Sequence, residues 1–269
     1  MSHLFIDMPA RVALFPLLVA QALHVRRRAL KLPEAAGPRA GTSGTGADLR
    51  LLILGDSSAA GVGAEHQDQA LAGQLVQRLS QTHRVTWRLE ATTGHTTKDA
   101  LDRLSQLGGD QFDVAVVALG VNDVTRAVPL RLWLDRQNQL ISRLRDAFGV
   151  RHICLSGLPP MGDFPLLPHP LRWVLGRQAC RFDHHLRAQV GRHPAVTVTP
   201  MEFEMDVDHM AKDGFHPGPQ VYAAWAEKLI AQIPLDSLST GSGQDFSKNL
   251  TPAPIQRRAH GMDNSPDDH

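Results

Sequence analysis

The 269-residue chain has little of what several functional classes require. It holds two cysteines and no Cys-x-x-Cys pair, which excludes a disulfide framework and a thiolate zinc site. Cys154 and Cys180 fall in an expected strand and an expected helix, as buried free thiols. Only 5% of residues are aromatic, with a single tyrosine, so no stacking platform for sugar rings is evident. The formal charge is +1, and Lys and Arg are dispersed except at Arg26-Arg27-Arg28. Such a chain has no basic field for nucleic acid. It also lacks the apolar run of ~20 residues that spans a bilayer. Its nearest approach, Val12 to Val25, is shorter and contains Pro16.

What is present is enough hydrophobic residue, 42%, for one sizeable core. Residues 1–47 read as an apolar and basic arm followed by a Gly/Ser/Thr-rich linker, Gly37 to Gly46. Residues 48–235 read as the globular domain, and residues 236–269, rich in Ser, Gly, Pro and Asp, as a disordered tail. Within the domain, strands are expected at Leu49–Leu54, Val85–Ala91, Phe112–Leu119, His152–Ser156 and Val196–Val198. Helical spacing recurs over Ala70–Leu79, Lys98–Leu107, Pro129–Phe148, Trp173–Val190 and Pro219–Ile233. This alternation implies an α/β fold of three layers around a mostly parallel, five-stranded sheet. Ligands of such sheets sit beyond the carboxyl ends of the strands.

The chemistry-bearing residues follow those strand ends. Leu51-Leu52-Ile53-Leu54 runs into Gly55-Asp56-Ser57, leaving a serine hydroxyl at the sheet edge with small residues around it. Taken alone, Ser57 fits a capping turn or an anion-binding turn as well as a nucleophile. Asp213-Gly214-Phe215-His216 places a carboxylate and an imidazole three residues apart, and Pro217 holds His216 in extended geometry. Such a pair supplies a base and the group that orients it. Asn122, after the central apolar strand, carries an amide able to donate to an oxyanion or to close an Asx turn. Gly94, after the second strand, lets the backbone approach a ligand and offers its N–H. Asp123 reads as a brace for its loop.

Taken in order, Gly55-Asp56-Ser57, Gly94, Gly120-Val121-Asn122-Asp123 and Asp213-Gly214-Phe215-His216 resemble the four blocks of the SGNH (GDSL-type) hydrolases, over Leu49 to Ile233. The resemblance implies a flavodoxin-like α/β/α sandwich. It implies Ser57 as nucleophile, Asp213 and His216 as the rest of a triad, and Ser57 N–H, Gly94 and Asn122 as oxyanion donors. Ser58 departs from the family's usual Leu, and the Thr-Thr-Gly-His-Thr-Thr block around Gly94 is the loosest match.

The expected activity is hydrolysis of a small-molecule carboxylic ester through an acyl-enzyme, with no cofactor and no metal. An acyltransferase or carbohydrate deacetylase on the same residues is the alternative, and a flavodoxin-like anion-binding module the less favoured one. The apolar, proline-stiffened segment Leu158 to Pro168 offers Met161 and Phe164 as walls of a substrate pocket. His184-His185 beside Asp183 reads as a solvated face, because adjacent helical positions point apart. Glu202, Glu204, Asp206 and Asp208 read as a surface loop rather than a cation site. The N-terminal arm fits a helix docked on the domain or a membrane surface, ahead of a weak export signal or a packed arm. The expected location is cytoplasmic with weak membrane association, export remaining open.

Overall fold

The computed structural model describes residues 13–191, 193–202 and 209–239. Six strands form one sheet in the order β1-β3-β2-β4-β5-β6. They are β1 (Ala40–Ser43), β2 (Ala47–Gly55), β3 (His83–Ala91), β4 (Val114–Ala118), β5 (His152–Ser156) and β6 (Val196–Thr199). All neighbours are parallel except β1, which runs antiparallel along β3. The helices, in chain order, are α1 (Phe15–Arg28), α2 (Leu71–Leu79), α3 (Thr97–Gln106), α4 (Val121–Thr125), α5 (Leu130–Phe148), α6 (Leu171–Val190), α7 (Pro219–Ile230) and α8 (Leu235–Ser239).

The layers follow from the period of the central strand. Along β2, Leu49, Leu51 and Ile53 pack with Leu71, Leu75, Tyr222 and Trp225 of α2 and α7. Leu52 and Leu54 turn to the other face and pack with Leu104, Trp133 and Phe182 of α3, α5 and α6. Alternation of period two thus serves two cores, and a strand covered on both faces reads as continuous apolar sequence. The five parallel strands run β3-β2-β4-β5-β6, the doubly wound order whose direction reverses between β2 and β4. That reversal opens a crevice at the carboxyl ends of β2 and β4.

The sheet has one strand more than the sequence pattern suggests. β1 lies inside the Gly37–Gly46 stretch expected to be a linker, and the sheet therefore begins before residue 48. All four of its residues are exposed, so it carries no hydrophobic signature. Its hold on the sheet is backbone pairing with β3 and the contact of Thr42 Oγ1 with Thr86 Oγ1 at 3.1 Å. At the other end, α8 continues the ordered chain past residue 236, with Leu238 buried and its carbonyl accepting from Arg151. The rest of the expected tail, 240–269, lies outside the described residues. Cys154 is buried as expected, and burial pushes its thiol up to about 11. Cys180 is instead exposed, because its position on α6 faces away from the sheet.

Candidate active site

Ser57 sits in the turn that follows β2. Gly55 has to be glycine there: a Cβ would stand 2.5 Å from Ala59 Cβ and 2.6 Å from the Ala118 carbonyl of β4. The turn is closed by Ala60 N–H donating to Asp56 O and Val62 N–H donating to Ser57 O. Tyr222 Oη of α7 donates to Val62 O at 2.6 Å and fixes the turn to the core.

The chain returns to this point through the segment before α7. His216 Nε2 stands 2.8 Å from Ser57 Oγ, and His216 Nδ1 stands 2.6 Å from Asp213 Oδ2. Asp213 Oδ1 accepts from the backbone N–H groups of Phe215 and His216, both at 3.0 Å. Burial alone would raise the Asp213 pKa. Hydrogen bonds from the His216 ring and from these backbone groups, with the His216 charge, outweigh it and hold the carboxyl below its ordinary value. Gly214, at a φ of +64°, makes the tight return, and its carbonyl accepts from Leu166 N–H.

Gly94 turns at a φ of +84° after β3. A capping box between Thr96 and Asp99 starts α3 directly behind it. Asp123 Oδ2 accepts from Thr97 N–H and Oγ1, which ties this loop to the Asn122 loop, in the bracing place expected of it. Burial raises the Asp123 pKa despite those two bonds. Asn122 Nδ2 donates to Asp56 Oδ2 at 3.2 Å and to the His95 carbonyl at 3.1 Å. Both amide hydrogens are therefore already engaged. The N–H groups of Ser57 and Gly94 have no acceptor among the described residues. The Gly94 carbonyl accepts from Arg126.

Asp56 was not expected as a site residue, yet it links these parts. Its Oδ1 accepts from Ser58 N–H and Oγ, its Oδ2 from Asn122, and it is buried. Burial pushes its pKa up, against the bonds from Ser58 and the His216 charge. Ser58, where the resembled family carries Leu, thus spends its polar groups on Asp56. The sequence offers only the adjacency of the three residues as a signal.

A cavity of about 50 Å³ opens beside Ser57 and His216. Leu119, Val121, Phe164, Met201, Phe215 and Trp225 give it apolar walls. Of the two wall residues expected from sequence, Phe164 lines it. Met161 does not: it is fully buried in the core, because its 3-10 turn packs down onto α6. Met201 and Trp225 come from the end of β6 and from α7, far from that loop in sequence. His184 and His185 are exposed on α6, while Asp183 is held by Arg187 and by Leu158 N–H. The acidic positions Glu204, Asp206 and Asp208 lie outside the described residues. No cluster of metal-ligating side chains occurs among the described residues.

The chain is similar to several known proteins. The model of the GDSL-like lipase/acylhydrolase family matches residues 53–224. A GDSL-like esterase of Mycobacterium tuberculosis is 28% identical over 241 residues, covering 81% of this chain and 76% of that protein. An arylesterase of Vibrio mimicus is 25% identical over 189 residues, covering 68% and 86%. Among solved structures, TesA superposes with a TM-score of 0.55 at 22% identity, over 70% of this chain and 99% of that one. A lipase from a goat rumen metagenome gives 0.55 at 18%, over 68% and 96%. At these identities the structural likenesses speak for the three-layer fold alone.

Proposed function

Because the chain belongs to the GDSL-like lipase/acylhydrolase family and is a carboxylic ester hydrolase, we propose that it cleaves its substrate through an acyl-enzyme on Ser57. The observation that carries this reading is the continuous contact Ser57 Oγ–His216 Nε2–Asp213 at 2.8 and 2.6 Å, in the wall of an apolar cavity. His216 takes the Ser57 proton as Oγ attacks the ester carbonyl. Asp213 holds the imidazole in the tautomer with its free lone pair toward Ser57 and steadies the imidazolium. The oxyanion is received by the N–H groups of Ser57 and Gly94. Asn122 joins by exchanging one of its two present bonds for the oxyanion. His216 then protonates the departing alcohol. Water, deprotonated by His216, attacks the acyl carbon, and the acid leaves with Ser57 restored.

The cavity volume bears on substrate size. The enclosed space beside Ser57 is small, about 50 Å³, and its walls are apolar, which suits a short acyl chain. The test is a p-nitrophenyl ester series with wild type and Ser57→Ala. Acetate and butyrate should turn over faster than octanoate, and Ser57→Ala should abolish hydrolysis while keeping the native circular dichroism spectrum. Undiminished hydrolysis by folded Ser57→Ala would end the acyl-enzyme reading, and octanoate as the best substrate would end the short-chain one.

A further inference from the structure

Helix α1 is apolar on two opposed faces. One face is docked: Leu18 and Val25 pack against the core around α6, and Gln21 exchanges hydrogen bonds with the His169 carbonyl and Leu171 N–H. The other face is open. Phe15, Val19 and Leu23 repeat every fourth residue, so they form one row, and they are 64%, 41% and 47% exposed. Leu17 and Leu30 are exposed too, but neither belongs to the row: Leu17 stands two positions from Phe15 and Val19 and so points away from them, and Leu30 follows the helix. A large contiguous apolar surface on a water-soluble face marks an interaction site. Arg26, Arg27 and Arg28 end the helix, all exposed, and Phe15–Arg28 contains no acidic residue. Among the described residues these arginines form no ion pair. No described helix is long and apolar enough to cross a membrane.

We propose that α1 lies flat on an anionic lipid surface, with Phe15, Val19 and Leu23 among the acyl chains and Arg26–Arg28 on the headgroup phosphates. An apolar row joined to a cationic cluster is complementary to a lipid interface, where a protein partner would have to supply both an apolar groove and fixed acidic groups. The segment that carries α1 also walls the catalytic cavity: Pro159 and Phe164 line it, and Leu166 N–H donates to Gly214 between Asp213 and His216. Lipid binding through α1 therefore holds the cavity within one loop of the membrane surface.

The test is co-sedimentation of the full chain with phosphatidylcholine vesicles, with and without phosphatidylglycerol, at low and high salt. Binding should require phosphatidylglycerol and weaken with salt. Arg26→Ala, Arg27→Ala and Arg28→Ala together should lower partitioning roughly a hundredfold. Phe15→Ser, Val19→Ser and Leu23→Ser should each lower it about tenfold. Hydrolysis of soluble p-nitrophenyl acetate should be unchanged in these variants, which shows that they fold. Ser57→Ala should bind vesicles like wild type, which separates this proposal from the catalytic one. No binding to anionic vesicles, or binding unaffected by both sets of substitutions, would overturn it. So would a dimer in solution that the Phe15, Val19 and Leu23 substitutions abolish, since the row would then belong to a second copy.

Discussion

On the His216 side of Ser57, the contacts that the proposed proton transfer would use are already made, at 2.8 and 2.6 Å, and the Asp213 carboxylate accepts two further backbone N–H groups. On the Asn122 side, the amide is bound to Asp56 and to the His95 carbonyl, and the N–H groups of Ser57 and Gly94 have no acceptor among the described residues. Both sides are assembled from loops, yet under the proposed mechanism one is organised before substrate arrives and the other would have to trade partners when charge develops. The contrast has an electrostatic cause. In the proposed mechanism the base side stabilises a charge that recurs on the imidazolium, and a fixed carboxylate suits that. The oxyanion side lies next to a second buried carboxylate, Asp56, whose charge is disfavoured there. The Asn122 amide gains from Asp56 a fixed position and loses to it a free hydrogen.

If the base side is the prepared half, breaking it should cost most. Asp213→Asn keeps the shape but donates to the imidazole instead of accepting from it. It should lower kcat by about 10⁴ at neutral pH. A loss below tenfold would mean that Asp213 orients nothing. On the other side, Asn122→Ala should lower kcat by ~10²–10³ with little change in KM, because the oxyanion bond it removes is made only in the transition state, while the bonds to Asp56 and the His95 carbonyl that it also removes do not touch substrate. Equal losses in the two variants would erase the contrast drawn between the sides.

The smallest expected effect is on stability. Asp213 has a folded pKa below its ordinary value, so it contributes stability above ~4, the unfolded carboxylate value, and loses it as pH falls through the folded pKa. Melting curves of wild type and Asp213→Asn should therefore differ by a constant gap from neutral pH to about 5, narrowing below ~4. A gap that stays constant down to the acid limit would show that the carboxylate bonds do not depend on its charge.

Much of this was legible in the sequence, for physical reasons that also explain the rest. β2 and β4 announce themselves because strands covered on both faces must be apolar throughout. Ser57, Asp213 and His216 stand out because glycine and proline punctuate the chain around them. β1 was illegible: an edge strand exposed along its whole length and built of Ala, Gly, Thr and Ser has the composition of a linker. Phe164 and Met161 look alike in sequence, and only the 3-10 turn onto α6 decides which faces the cavity and which the core. Met201 and Trp225 reach the cavity through tertiary packing, which leaves no local trace. The bonding of Asp56 to Asn122 spans 66 residues and is equally silent.

In the proposed mechanism Ser57 Oγ is the atom that carries the acyl group. Incubation with a fluorophosphonate, followed by peptide mass spectrometry, measures that directly. One adduct should form, on the peptide containing Ser57, in step with loss of ester hydrolysis, and His216→Ala should slow its formation. Full inactivation with the adduct on another residue, or hydrolysis that continues after Ser57 is fully labelled, would contradict the account.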